Sequence, residues 1–130
     1  MNKKEYPKGI LPVLPVKDID LTASYFIEKL QFSENFRQKS PDGKSTDSQL
    51  TFEDSTLMLN FNPDQAMLEG GGIYLWIRLF DTDINGYYER LLSNEVRIVD
   101  PIQDQFWGDR SFVIKDCNNY LLAFNQAIGK

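Results

Sequence analysis

GGIYLWIRLFDTDING, residues 71–86, is the stretch on which the fold turns. Two glycines release a run in which Ile73, Leu75, Ile77 and Leu79 alternate with Tyr74, Trp76 and Arg78, the period of a strand with one buried face. The carboxylates of Asp81 and Asp83 mark a helix start, and Ile84, Tyr87, Tyr88, Leu91 and Leu92 then recur at helical spacing. The stretch therefore predicts a strand over 73–79 that feeds a helix opened by Asp83. What the outer row of that strand faces decides what the protein does.

Downstream, the pattern predicts a short strand near 96–99, a loop DPIQDQFWGD over 100–109, a strand 110–115, a turn DCNN and a last strand 120–126. Upstream the same order reads once before. Ile10 to Val16 is a strand whose Pro12 and Pro15 confine it to an edge, because proline cannot donate to a ladder. Asp18 or Asp20 opens a helix over 19–31, followed by strands at 32–37, 48–53 and 56–61, the last with Leu57, Leu59 and Phe61 inward. Residues 1–9 read as a leader and 62–72 as a linker.

The two halves also echo each other residue by residue. EKL at 28–30 returns as ERL at 89–91, LTFED at 50–54 as FVIKD at 112–116, and LMLNF at 57–61 as YLLAF at 120–124. Three echoes in the same order, each about half the chain apart, predict two copies of one β-α-β-β-β module. Module one covers about 9–61 and module two about 73–126, within one domain of α+β class.

Composition narrows the function. A hydrophobic fraction of 42% supplies a core, and a net charge of -5 argues against nucleic acid while favouring a neutral or cationic small partner. No apolar run is long enough for a membrane span, and MNKKEYPKGILPV lacks the apolar core of a secretory signal. One cysteine, Cys117, excludes an internal disulfide framework and suits a reducing cytoplasm. The chain has no histidine, which removes Ser-His-Asp triads and imidazole metal sites.

The blocks LPVKDIDLTASYFIEKLQF (14–32), DTDINGYYERL (81–91) and FWGDRSFVIKDCNNYLLAFNQ (106–126) resemble the vicinal oxygen chelate superfamily of glyoxalase I, extradiol dioxygenases and bleomycin-resistance proteins. The last block looks most like the bleomycin-resistance branch: Trp107, Gly108, Arg110, Phe112 and Asp116 match its pattern, with Asn119 and Tyr120 where Gly-Asn is usual. The resemblance implies two curled mixed sheets forming a cupped groove, and a homodimer. In the metal-dependent members four strand positions hold a divalent ion. Carried over, those places fall on Leu11, Asn60, either Tyr74 or Trp76, and Ala123, a set that cannot hold one. The reading is therefore no metal and no cofactor.

Alternation puts Leu11, Val13, Gln49, Thr51, Met58, Asn60, Tyr74, Trp76, Arg78, Ser111, Val113, Leu121 and Ala123 on the wall of that groove. Of these, Tyr74, Trp76, Arg78, Asn60, Met58 and Ser111, together with the loop residue Trp107, are the candidate ligand-binding residues. Two tryptophans offer flat surfaces on which an aromatic ligand stacks, although plain core packing explains Trp76 nearly as well. Arg78 reads either as a binder of a ligand oxyanion or as a structural group, whereas Arg110 reads as structural, paired with Asp109 or Asp116. Glu53, Asp100, Asp104 and Asp109 are candidates for an acidic rim, against a plain solvated surface. Cys117 lacks a neighbouring base and is a poor nucleophile. The function expected is metal-free binding and sequestration of a cationic aromatic small molecule, as in antibiotic resistance. The alternative is an isomerase, lyase or dioxygenase-like enzyme of the same superfamily, working through a carboxylate base such as Glu53.

Overall fold

The computed structural model describes residues 8–66 and 72–129. Most of the expected leader, the glycine Gly71 and part of the linker lie outside these residues. The chain divides into two compact units, residues 1–68 and 69–130.

In the first unit β1 (Val13–Val16) leads to α1 (Ile19–Ser24), which runs on as a π-helical turn over Tyr25–Lys29. β2 (Ser33–Lys39), β3 (Ser45–Phe52) and β4 (Ser55–Phe61) follow, then a short helix α2 (Pro63–Ala66) inside the expected linker. The sheet order is β1-β4-β3-β2, with β1 parallel to β4 and the other pairs antiparallel. Pro15 is tolerated because β1 is an edge. Asp18 caps α1 by accepting from the Leu21 N–H at 3.0 Å. The helix was expected to reach residue 31. It stops earlier because Gln31 adopts a φ of 65°, a left-handed conformation that no helix continues through.

One face of this sheet packs under the helix. Leu14, Val16, Leu50, Leu57 and Leu59 are buried there with Ala23, Phe26 and Leu30. Phe26 and Phe32 meet edge to face at 5.2 Å, and Phe32 meets Phe52 at 5.3 Å. Phe61 breaks the inward row expected of Leu57, Leu59 and Phe61, being half exposed. It is the last residue of β4 and borders a cavity of about 270 Å³ with Ile19, Lys44 and Ser45, and that open space leaves its ring half exposed.

The second unit repeats the order. β5 (Tyr74–Arg78), α3 (Ile84–Ser93), β6 (Arg97–Asp104), β7 (Asp109–Lys115) and β8 (Leu121–Ala127) form a sheet ordered β5-β8-β7-β6, with β5 parallel to β8. Asp83 caps α3 through the Gly86 N–H at 2.9 Å. Gln126 ties the helix start to β8: its Oε1 accepts from the Ile84 N–H at 2.9 Å and its Nε2 donates to the Thr82 carbonyl at 2.7 Å. Ile84, Tyr87 and Leu91 are buried against Ile77, Phe112, Ile114, Leu122 and Phe124, whereas Leu92 and Ile73 are exposed.

Two boundaries differ from expectation for one reason. β6 does not stop at residue 99 but passes through Pro101 to Asp104, shrinking the expected loop 100–109 to residues 105–108. Proline reads as a break, yet β6 is an edge strand, and its register shifts around Asp100 spare the ladder a donor there. In the turn after β7, Asn119 takes a φ of 69°, the left-handed conformation that glycine would supply at that place and that asparagine tolerates. No described helix is long and apolar enough to cross a membrane.

Candidate functional site

β5 presents Tyr74, Trp76 and Arg78 on the sheet face turned away from α3. Tyr74 is 52% and Trp76 50% exposed, while Ile77 on the opposite face is buried. Plain core packing therefore does not explain Trp76. The ladder sets what lies beside them: Tyr74 pairs with Leu121, Trp76 with Ala123 and Arg78 with Asn125 on β8, and beyond these come Lys115, Val113 and Ser111 of β7. Ala123, Val113 and Ser111 are buried, so the strands beside Trp76 carry small, buried side chains on this face.

Trp107 joins this face through a hydrogen-bond network. Arg78 Nη1 donates to Asp109 Oδ2 at 2.6 Å and to Asn125 Oδ1 at 3.1 Å. The same Asp109 oxygen accepts from the Trp107 indole N–H at 3.0 Å. The bond from Arg78 is the main reason the Asp109 carboxyl sits below the usual carboxylate range; burial opposes it and the Trp107 N–H adds to it. Gly108, at a φ of 97°, turns the loop tightly enough for its N–H to reach the Gln105 carbonyl at 3.1 Å, which aims Trp107 back at the sheet. Phe106 packs edge to face on Trp107 at 5.0 Å while staying almost fully exposed. Ser111 is held by Gln105, whose Nε2 donates to its Oγ at 2.9 Å.

Five of the expected binding residues thus share one unit: Tyr74, Trp76, Arg78 and Ser111 on one sheet face and Trp107 anchored to it. Met58 and Asn60 lie on the first unit's sheet, where Asn60 Nδ2 donates to Asp47 Oδ1 at 2.9 Å. Asn125, Asp109 and Gln105 form the polar frame of the arrangement, beyond the residues the sequence singles out for binding. The signal for Asn125 was available, since it continues the alternation of Leu121 and Ala123 by one more step.

Three expectations are corrected. Arg110 pairs with neither Asp109 nor Asp116; it forks onto Asp104 at 2.6 and 3.3 Å and reaches Asn85 at 3.2 Å, because the β6–β7 register sets Asp104 opposite it. The acidic rim loses Asp109, buried beneath Arg78, and Asp104, bound to Arg110, while Glu53 occupies the β3–β4 turn with a φ of 53°. Leu11 and Asn60 do not stand together. Leu11 precedes β1, and the parallel ladder, fixed by the Met58 N–H on the Pro12 carbonyl at 2.9 Å, sets Asn60 beside Pro15.

The ladder also picks between Tyr74 and Trp76 as the neighbour of Ala123: it is Trp76. Neither an indole nor a methyl offers a lone pair to a cation, and the residues at these places do not fit a divalent ion. Among the described residues no group of three or more His, Cys, Asp or Glu comes together.

Residues 10–124 match the Glyoxalase/Bleomycin resistance protein/Dioxygenase superfamily, and the chain belongs to that family. An uncharacterised protein of Mycobacterium bovis is 31% identical to it, over 92% of this chain and 84% of that one. Among solved structures, the antibiotic-binding protein TnmS3 of Streptomyces sp. CB03234 superposes with a TM-score of 0.72 at 21% identity, covering 95% of this chain and 100% of its own. The bleomycin resistance determinant encoded on transposon Tn5 gives 0.70 at 23% identity, covering 93% and 98%. At these identities the structural likenesses establish the fold. The tandem modules and mixed sheets expected from the sequence are those of the family.

Proposed function

We propose that this protein is a metal-free small-molecule binder that sequesters a planar aromatic ligand, in the manner that the names of the antibiotic-binding and bleomycin-resistance proteins suggest for them. The observation that carries the reading is the aromatic row itself. Tyr74, Trp76 and Trp107 leave about half their surface to solvent on a face whose polar groups are few and already placed by neighbours, the composition of a ligand site. Large aromatic rings left exposed at fixed positions stabilise a complex through area burial and offset stacking. The net charge of -5 favours the approach of a cationic ring system at long range. Met58 and Asn60 are proposed separately, as ligand contacts on the first unit's own sheet. A homodimer in a reducing cytoplasm belongs to the same proposal, supported by the resemblance to the resistance proteins and by an exposed, unbridged Cys117.

Bleomycin and the planar cation proflavine are the probes for this reading. Each is titrated against tryptophan emission, and the recovered ligand is then weighed by mass spectrometry. Binding with the ligand returned unchanged is the expected result. Trp76→Ala should weaken binding by about tenfold or more, the loss usual for a central aromatic anchor, with Trp107 left as the reporter. Unaltered emission at saturating dose of both probes would remove the support for sequestration. A chemically altered ligand would favour an enzyme.

A further inference from the structure

Arg37, Arg78 and Arg110 each form an ion pair, and their side chains engage differently. Arg37 places Nε on Glu34 Oε2 at 2.7 Å and Nη2 on Oε1 at 3.1 Å. Arg110 does the same to Asp104, with Nε at 2.6 Å and Nη2 at 3.3 Å. In both, the Nε–Nη2 edge of the guanidinium closes on a carboxylate as a fork, the geometry that planar N–H donors and carboxylate oxygens share. Arg78 differs. Only its Nη1 is engaged, on Asp109 and Asn125, and its Nε and Nη2 make no hydrogen bond to any described residue.

That open edge belongs to a side chain about a third exposed, two residues along the strand from Trp76 and therefore on the same face. It is also held still: one end of the guanidinium is pinned by Asp109, itself pinned to Trp107, so little rotamer freedom remains to be lost on binding. Residues two apart on a strand stand about 7 Å from each other. A ring stacked on Trp76 with an acidic substituent at its edge spans that distance.

We propose that the Nε–Nη2 edge of Arg78 receives a carboxylate carried by the aromatic ligand, so that the ligand class is an aromatic acid, or a zwitterion whose ring is cationic. The proposal rests on the reading that the Trp76 face binds aromatic rings and adds the group that orients them. Asp109 neutralises Arg78 without filling its fork. The incoming carboxylate accepts from both directed N–H donors in charge-assisted bonds, whereas a neutral amide offers a single carbonyl oxygen and no charge.

The test uses three probes of one shape: 2-naphthoate, 2-naphthamide and 2-naphthylmethylammonium, titrated calorimetrically into the full chain. The naphthoate should bind at least about tenfold more tightly than the amide or the ammonium. Arg78→Lys keeps a cation for Asp109 but removes the fork. It should weaken the naphthoate about tenfold and leave the amide unchanged. Equal affinity for naphthoate and amide in the unmodified protein would overturn the proposal while leaving aromatic binding intact, and so would an Arg78→Lys variant that holds naphthoate as well as the parent. If none of the three binds, the aromatic reading falls, and this one with it.

Discussion

Phe124→Ala is expected to cost about 3–5 kcal/mol, a large share of the roughly 5–15 kcal/mol that holds a domain of this size together. Phe124 is fully buried on β8 under α3. Tyr87 meets it edge to face at 5.1 Å and Phe112 stacks on it at 5.4 Å, while Phe112 also contacts Tyr88 at 4.9 Å. Removing that ring forfeits its transfer from water and leaves a hole that its stiff aromatic neighbours Tyr87 and Phe112 cannot collapse into. Urea unfolding followed by circular dichroism measures the loss. Phe106→Ala is the control: it deletes an equal ring that solvent already surrounds, and it should shift stability by less than about 1 kcal/mol. Similar losses for the two variants would mean that this cluster does not organise the second unit.

A second large effect should appear with pH. Asp116 is 4% exposed in the turn after β7. Its Oδ1 accepts from the Asn118 and Tyr120 N–H groups, both at 2.8 Å, but its Oδ2 is buried with no hydrogen-bond partner. Burial pushes its pKa up from 3.8 to about 6, against the two backbone donors that pull it down. A carboxyl whose pKa is higher folded than unfolded prefers the folded state when protonated. Its contribution is therefore complete below about pH 4 and is lost as pH rises through about 6, a change of about 3 kcal/mol in all.

The lowered carboxyls Asp20, Asp42, Asp104 and Asp109 work in the opposite sense and lose their contribution only at lower pH, as it falls through their folded values. Urea midpoints at about pH 4.5 and pH 7.5 should thus show the parent losing roughly 2 kcal/mol relative to Asp116→Asn, which cannot ionise. Parallel pH curves for the two proteins would sink this account.

Sequence by itself determined the architecture. Alternation in GGIYLWIRLFDTDING, the Asp83 and Asp18 caps and the echoed segments are local signals, and local signals survive folding because each states a backbone preference that the sheet and helix then satisfy. Where it misread, a neighbour decided the outcome. Pro101 reads as a strand's end, but an edge position makes it harmless; Phe61 reads as inward, but at the end of β4 it borders a cavity and stays half exposed.

The aromatic row of Tyr74 and Trp76 was legible by the same alternation. The polar frame around it was not. Arg78, the Trp107–Asp109 turn and Asn125 are far apart in the chain, and only the β5–β8–β7 ladder with the turn at Gly108 brings one carboxylate between a guanidinium and an indole. Sequence can say that a residue is an arginine on an outer face. Which of its N–H groups are already taken depends on groups that arrive from other strands, and that occupancy is a property of tertiary structure alone.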